Sequence, residues 1–349
     1  MTATARIDLN AFRHNVERLS ATVAPARTML AVKSDAYGHG LAACARVALE
    51  AGACSLGVLD IPAGLQARRL GFACPLFAWL HGADSDFRAA IAARIDLGVA
   101  GIGQLEAVAA AAEAEAAPAR VHLKLDTGLH RGGANPEDWA GLVRRAVELE
   151  RAGRIRLAAA WSHLADTSPT ADRRSLQLFR ERVAEARALG ADFELLHLAA
   201  SSAGIELPEA RFDLVRFGIA AYGISPFHDR SGADLGLRPV MRLEAPVLRT
   251  EPGRLVVAAG YGDGLQCLLQ PSGWMLAGGE RCEVLAVSAD ETVLAAPGAP
   301  CAPGDPVLVF GPGDEGEPSA EEWAEWTGTV GDELVTGLTD RVPRVHEGG

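Results

Sequence analysis

Of the 33 lysines and arginines in this chain only two are lysines, Lys33 and Lys124. Arginine stays protonated, whereas a lysine amine can lose its proton in a suitable environment and form an imine with a carbonyl. Lys33 is therefore a candidate Schiff-base residue. Tyrosine is almost as scarce: Tyr37, Tyr222 and Tyr261 are each followed by glycine, in AYGHG, AYGIS and GYGDG. Such placement reads as part of a site rather than as core filler. In AVKSDAYGHG (31–40) Lys33 is followed four residues on by Tyr37, then by two glycines that open a helix. Backbone amides and a phenol there could hold a phosphate; the plainer reading is a surface charge beside a turn.

The elements that must position these groups alternate. After an opening helix at 10–23, short apolar runs at 28–32, 55–59, 75–79, 97–101, 121–125, 157–161, 193–197 and 214–215 read as strands between helical stretches. One such stretch is expected to start with Asn135 as cap, Pro136 and Glu137, and to bury Trp139, Leu142, Val143, Ala146 and Val147. A second, at 172–189, stops at Gly190. Eight strands alternating with helices predict an α/β fold, a (β/α)8 barrel of the TIM type, and put Lys33 at the end of its first strand, where barrel active sites are built. The polar break HDRSGADLG (228–236) introduces a mostly β segment closed by a helical stretch at 320–338. The expected domains are a cofactor-binding barrel, 1–230, and a C-terminal β domain, 231–349.

Composition narrows the function. The formal charge of −12, with no block of basic residues to offset it, argues against binding nucleic acid or an anionic membrane by bulk electrostatics. No apolar run is long enough to span a bilayer and the first residues carry no leader pattern, so a cytoplasmic location is expected. The six cysteines have no metal-ligand spacing and read as reduced, mostly buried side chains; no metal is expected.

Six segments then resemble, in order, the alanine racemase family of fold type III pyridoxal-phosphate enzymes: AVKSDAYGHG, LKLDTGLHRGG (123–133), HLAASSAG (197–204), VRFGIAAYGISP (215–226), GYGDG (260–264) and TGLTDRVPRV (336–345). The resemblance spans nearly the whole chain. It implies that Lys33 carries pyridoxal 5'-phosphate and acts as one acid/base, with Tyr37 on the phosphate. Ser201, Gly218 and Ile219 would be further phosphate contacts, the last two through backbone amides. Arg216 would face the pyridine nitrogen, and Tyr222 would pack rather than react. Tyr261 would be the second base, reaching the opposite cofactor face across a homodimer interface, with His163 and Arg131 in its supporting network. Two opposed bases suit racemisation, in which a proton leaves one face of Cα and another arrives on the other. A phenol, with its ordinary pKa of about 10, needs cationic neighbours to serve as a base. Lys124 matches a lysine that in many relatives is carbamylated and orients the arginine; simple pairing with Asp126 is the other reading.

Departures from the family pattern fall on the substrate side. Ala289, beside a retained Asp290, stands where methionine is usual; Asp332 replaces a tyrosine, His130 a glycine, Ala200 an asparagine, and Leu265 a tyrosine. Arg131, Ala289, Asp290, Asp332 and His130 are accordingly the candidate substrate-binding residues, in a pocket expected to be larger and more polar. The expected activity is racemisation of a free amino acid: alanine, or a larger or polar one such as serine or a basic residue. The alternatives are a decarboxylase or aldolase of the same fold type, or a pyridoxal-phosphate-binding protein without racemase activity.

Overall fold

The computed structural model of the protein describes residues 2–82, 84–267, 273–298 and 300–349. The chain divides into two compact units, one formed by Glu17–Lys33 and Ala48–Gly218, the other by Met1–Val16, Ser34–Val47 and Ile219–Gly349.

After a first strand, β1 (Thr4–Asp8), come β2 (Arg27–Ala31), β3 (Ser55–Val58), β4 (Leu76–Ala78), β5 (Ile95–Val99), β6 (Ala119–Lys124), β7 (Ile155–Trp161), β8 (Leu195–His197) and β9 (Leu214–Phe217). β2 to β9 form one all-parallel sheet in the order β8-β7-β6-β5-β4-β3-β2-β9. Its two edges meet: the Asp213 and Arg216 amides donate to the carbonyls of Leu196 and Ala199, each at 3.1 Å. The barrel expected from the alternation is thus present, each strand within a few residues of its predicted position. These short runs are buried almost throughout, as strands covered by helices on one face and by a filled barrel on the other must be. Inside, Met29, Phe77, Trp161 and Leu214 pack together.

The helix between β6 and β7 begins at Trp139, not at Asn135. Residues 135–138 make a turn in which the Trp139 amide donates to Asn135 O (3.1 Å) and Asn135 Nδ2 to Asp138 Oδ2 (3.2 Å). Trp139, the first helical residue, is buried, and its indole donates to Arg182 O at 2.8 Å. Helix Pro169–Ala188 starts three residues earlier than its pattern predicts because the Ser168 hydroxyl caps the Ala171 amide and proline occupies the first turn.

The second sheet is built from β10 (Met241–Glu251), β11 (Arg254–Val257), β12 (Trp274–Ala277), β13 (Glu280–Val287), β14 (Thr292–Ala295), β15 (Pro306–Phe310) and β16 (Arg344–Glu347), together with β1. The order is β11-β14-β13-β12-β15-β10-β1-β16, antiparallel except where β1 meets β16. β1, which the sequence pattern did not announce, is an N-terminal strand held by C-terminal ones. The closing helical stretch is two helices, Ala320–Thr327 and Gly331–Thr336, separated where Gly328 turns left-handed (φ 70°). No helix of the described residues is long and apolar enough to cross a membrane.

Candidate active site

Four cations converge at the C-terminal ends of the barrel strands. Lys33 follows β2, Lys124 ends β6, Arg131 lies in the loop after it, and Arg216 is the third residue of β9. Their common neighbour is His163, just beyond β7. Burial, then the charges of Arg216, Arg131, Lys124 and Lys33 in that order, push its imidazole down to about 3. The ring is neutral, and because Arg216 Nη2 donates to its Nδ1 (3.1 Å), its proton sits on Nε2.

Arg216 is buried and its guanidinium is held by acceptors that carry no charge: His197 Nδ1 at 2.9 Å on Nη1, and Ser162 O at 2.8 Å, Leu198 O at 2.9 Å and His163 on Nη2. Burial draws its pKa down to about 9. It also lies over the Trp161 ring, 5.2 Å from the centroid. Among the described residues no carboxylate pairs with it, so the plain alternative for this arginine, a barrel-end salt bridge, is not what the structure shows. Beside it, the Gly218 amide donates to Ser201 Oγ at 3.2 Å, so these two candidate phosphate contacts are brought together, and Ile219 follows directly.

Lys124 corrects one expectation. Its Nζ donates to the Arg131 carbonyl at 2.8 Å and lies 4.9 Å from the Trp161 centroid, while the Asp126 carboxylate takes other donors: the amides of Gly128 (2.9 Å) and His130 (3.1 Å) and His130 Nδ1 (3.1 Å). An acid already satisfied by a loop it shapes has little left for a lysine two residues back. Burial, with Arg131 and Arg216 nearby, lowers the Lys124 amine to about 8.

In the other unit, the glycines after Lys33 do not form a phosphate cradle. Ser34, Asp35, Ala36 and Tyr37 all take left-handed φ (51°, 54°, 56° and 53°), and the Gly38 and Gly40 amides are used to close this turn on Ser34 O and Asp35 O, both at 2.9 Å. Helix Leu41–Glu50 starts only afterwards. Left-handed residues with a Cβ cost about 1–2 kcal/mol each, and such strain concentrates at functional sites. Tyr37 is buried against Tyr222 (centroids 4.9 Å apart), and burial, followed by the charge of Asp332, raises its phenol above the usual tyrosine range. Asp332, whose charge adds to that shift, lies in the first turn of helix Gly331–Thr336. Tyr222 is packed, between Phe12, Tyr37 and His39.

Tyr261 occupies a tight turn and leaves 57% of its surface open in the single chain. Two of the residues that anchor the turn, Asp263 and Arg341, were not singled out from the sequence. Asp263 Oδ2 accepts the Gly260 amide at 2.9 Å, Asp263 pairs with Arg341 (3.1 Å), and Arg341 Nη2 donates to Asp290 at 2.6 Å. The Tyr261 and Gly262 amides donate to the carbonyls of Ser288 (2.9 Å) and Ala289 (2.8 Å). Asp290 thus has a cation of its own. Asp263 and Arg341 both lie in motifs quoted above, GYGDG and TGLTDRVPRV, where an acid and a base among glycines were the available signal. His122 and His197, buried in the barrel, were also missed; a histidine in an otherwise apolar strand was the only hint.

The donor set fits pyridoxal phosphate. A mouth with Lys33, Lys124, Arg131 and Arg216 around a neutral imidazole, and no carboxylate among Arg216's partners in the described residues, suits an anionic ligand, and Lys33 has an amine of the kind that could hold its aldehyde.

A parallel barrel with a cationic mouth, followed in the chain by an antiparallel β sheet, places the protein in the class of two-domain barrel enzymes. The model for "Alanine racemase, N-terminal domain" matches residues 7–226 and that for "Alanine racemase, C-terminal domain" residues 248–346. An alanine racemase of Streptomyces coelicolor is 40% identical over 375 residues, covering 99% of this chain and 96% of its own, and one of Salinispora arenicola is 38% identical over 371 residues, covering 99% and 98%. The crystal structure of alanine racemase from D-cycloserine-producing Streptomyces lavendulae superposes with a TM-score of 0.96 at 37% identity, covering 100% of this chain and 98% of that one. The chain belongs to the alanine racemase family and is an amino-acid racemase.

Proposed function

We propose that the protein interconverts the two mirror-image forms of alanine, using pyridoxal 5'-phosphate. The carrying observation is the cluster of four cations around neutral His163, which suits the phosphorylated aldehyde and a carboxylate-bearing substrate together. When bound, the cofactor would supply an electron-withdrawing ring that acidifies the substrate Cα–H. Lys33 holds it and exchanges the α-proton on one face. The C-terminal β domain, 231–349, presents Tyr261 to the other face in a homodimer, for which the exposure of this ring supplies a reason. His163 and Arg131 support that phenol, and Arg131 also orients the substrate carboxylate. Tyr37, Ser201, Gly218 and Ile219 hold the phosphate. Arg216 faces the ring nitrogen as a cation that, even with its lowered pKa, stays protonated at neutral pH, keeping the ring a weak electron sink and limiting side reactions.

A second reading, a larger or polar substrate such as serine or a basic amino acid, is favoured by the small side chain of Ala289 and by the Asp332 carboxylate near Tyr37. Asp290, paired with Arg341, and His130, paired with Asp126, are less available to such a substrate. Incubating the loaded enzyme with small, basic, acidic and hydroxylated amino acids in deuterated water tests both. α-Deuteration with inversion of alanine alone supports the first, inversion of serine or lysine the second, and release of an aldehyde or an amine would refute racemisation.

A further inference from the structure

Beneath Arg216 a line of hydrogen bonds descends through the barrel. Arg216 Nη1 meets His197 Nδ1 at 2.9 Å, His197 Nε2 meets His122 Nδ1 at 2.9 Å, and His122 Nε2 meets Asp96 Oδ2 at 3.2 Å. Asp96 is the second residue of β5, so the line runs from the mouth of the barrel toward its opposite end. There Arg120 bonds both Asp96 oxygens (3.1 and 3.2 Å) and both Glu194 oxygens (3.0 Å each). The two imidazoles are buried and cannot turn freely: His122 stacks on Phe77 (4.3 Å, 15°) and His197 on Trp161 (5.6 Å, 9°).

The direction of every bond follows from chemistry. Guanidinium only donates, so His197 Nδ1 accepts and its proton is on Nε2. That proton is donated to His122 Nδ1, which puts the His122 proton on Nε2, donated in turn to the Asp96 carboxylate. Burial and the charge of Arg216 hold His197 neutral. A carboxylate in direct contact with Arg216 would neutralise the guanidinium and turn its fork toward itself. Two neutral rings in series instead deliver only a correctly pointed lone pair.

We propose that Asp96, His122 and His197 are positioning residues for Arg216: the carboxylate locks the tautomers of two stacked imidazoles, and the last of them aims the guanidinium without quenching its charge. This rests on the reading that Arg216 faces the cofactor ring nitrogen. The test is imidazole 15N spectroscopy of the apo and cofactor-loaded protein, paired with the ratio of keto acid released (the amino group passing to the cofactor) to racemisation. His197 and His122 are each expected as a single Nε2–H tautomer in both forms. His122→Phe, which keeps a ring against Phe77 but cuts the line, should admit the Nδ1–H tautomer of His197 and raise the keto-acid ratio roughly tenfold, equivalent to about 1.4 kcal/mol. His122→Gln, able both to accept and to donate, should return the ratio to within about threefold of the native value. Should His122→Phe fail to fold, Asp96→Asn, whose amide can also donate to His122 and so unlock its tautomer, gives the same readouts. An Nδ1–H or mixed His197 in the native protein, or a severed line that leaves tautomer and ratio unchanged, overturns the relay. If Arg216→Gln leaves the cofactor absorption band and the ratio unchanged while the native tautomers are as stated, the relay's geometry stands and the ring-nitrogen reading of Arg216 is what fails.

Discussion

Gly260→Ala isolates what the tyrosine turn requires. Gly260 has an extended backbone (φ −145°, ψ −175°) that alanine adopts without strain, so any effect is steric. A Cβ there would lie 2.5 Å from the carbonyl carbon of Ala289 and closer still to Ser288 O, where ordinary contact begins near 3.4 Å. The two loops must separate by about 1 Å, and misplacing a reacting group by that much costs on the order of a hundredfold in rate. Overpacking adds roughly 1–3 kcal/mol of lost stability. With Tyr261 as the proposed second base, acting on the proton rather than on substrate binding, steady-state racemisation should show kcat reduced by about two orders of magnitude with KM changed much less. Gly279→Ala is the control: its φ of 81° imposes backbone strain, yet a Cβ there meets nothing within 4 Å. That variant should lose about 1–2 kcal/mol of stability while keeping native turnover. Native kcat and melting temperature in Gly260→Ala would refute the steric seating of Tyr261; equal losses in both variants would refute its specificity.

Tyr261→Phe should slow α-proton exchange from one enantiomer far more than from the other, read by deuterium incorporation into each; equal and unchanged rates would make the tyrosine structural. Acid should destabilise the fold through its buried rings. The folded-state pKa values of His163 (about 3) and His39 (about 4) lie below the unfolded value of 6.5, so stability is complete above pH 6.5 and falls as pH is lowered. At about 1.4 kcal/mol per unit per ring, the two remove roughly 5 kcal/mol between pH 6.5 and 4.5, and a flat urea-unfolding profile over that window would contradict it. The lowered Lys124 amine, at about 8, should take up carbon dioxide from 13C-labelled bicarbonate, giving a carbamate carbon resonance that Lys124→Arg abolishes. Arg341→Gln, which loses the pairs to Asp263 and Asp290, should lower kcat less than Gly260→Ala does, because the backbone bonds of the turn remain.

All eight barrel strands and the place of Lys33 after the first of them were legible in the alternation of short apolar runs with amphipathic stretches, because a parallel strand covered on both faces has to be apolar throughout. Lys33 was singled out by rarity, as one of two lysines in a chain that otherwise uses arginine, and the structure places it just beyond β2 at the barrel mouth. What the alternation could not convey was pairing between distant segments. β1 joins an antiparallel sheet whose partners lie more than 200 residues away, and no local pattern records that register. One helix starts at Trp139, after a turn over 135–138 in which the Asn135 carbonyl accepts the Trp139 amide. The turn after Lys33 became left-handed although four of its residues carry side chains, a strain that only the surrounding fold can impose. The line from Arg216 to Asp96 has members on four strands separated by 19 to 75 residues, or brought together only by closure of the barrel. Sequence determined which groups could titrate, donate or attack. Tertiary structure decided which of them are neutral and which way each hydrogen bond points, because burial and neighbouring charge are properties of a location in space and not of a position in the chain.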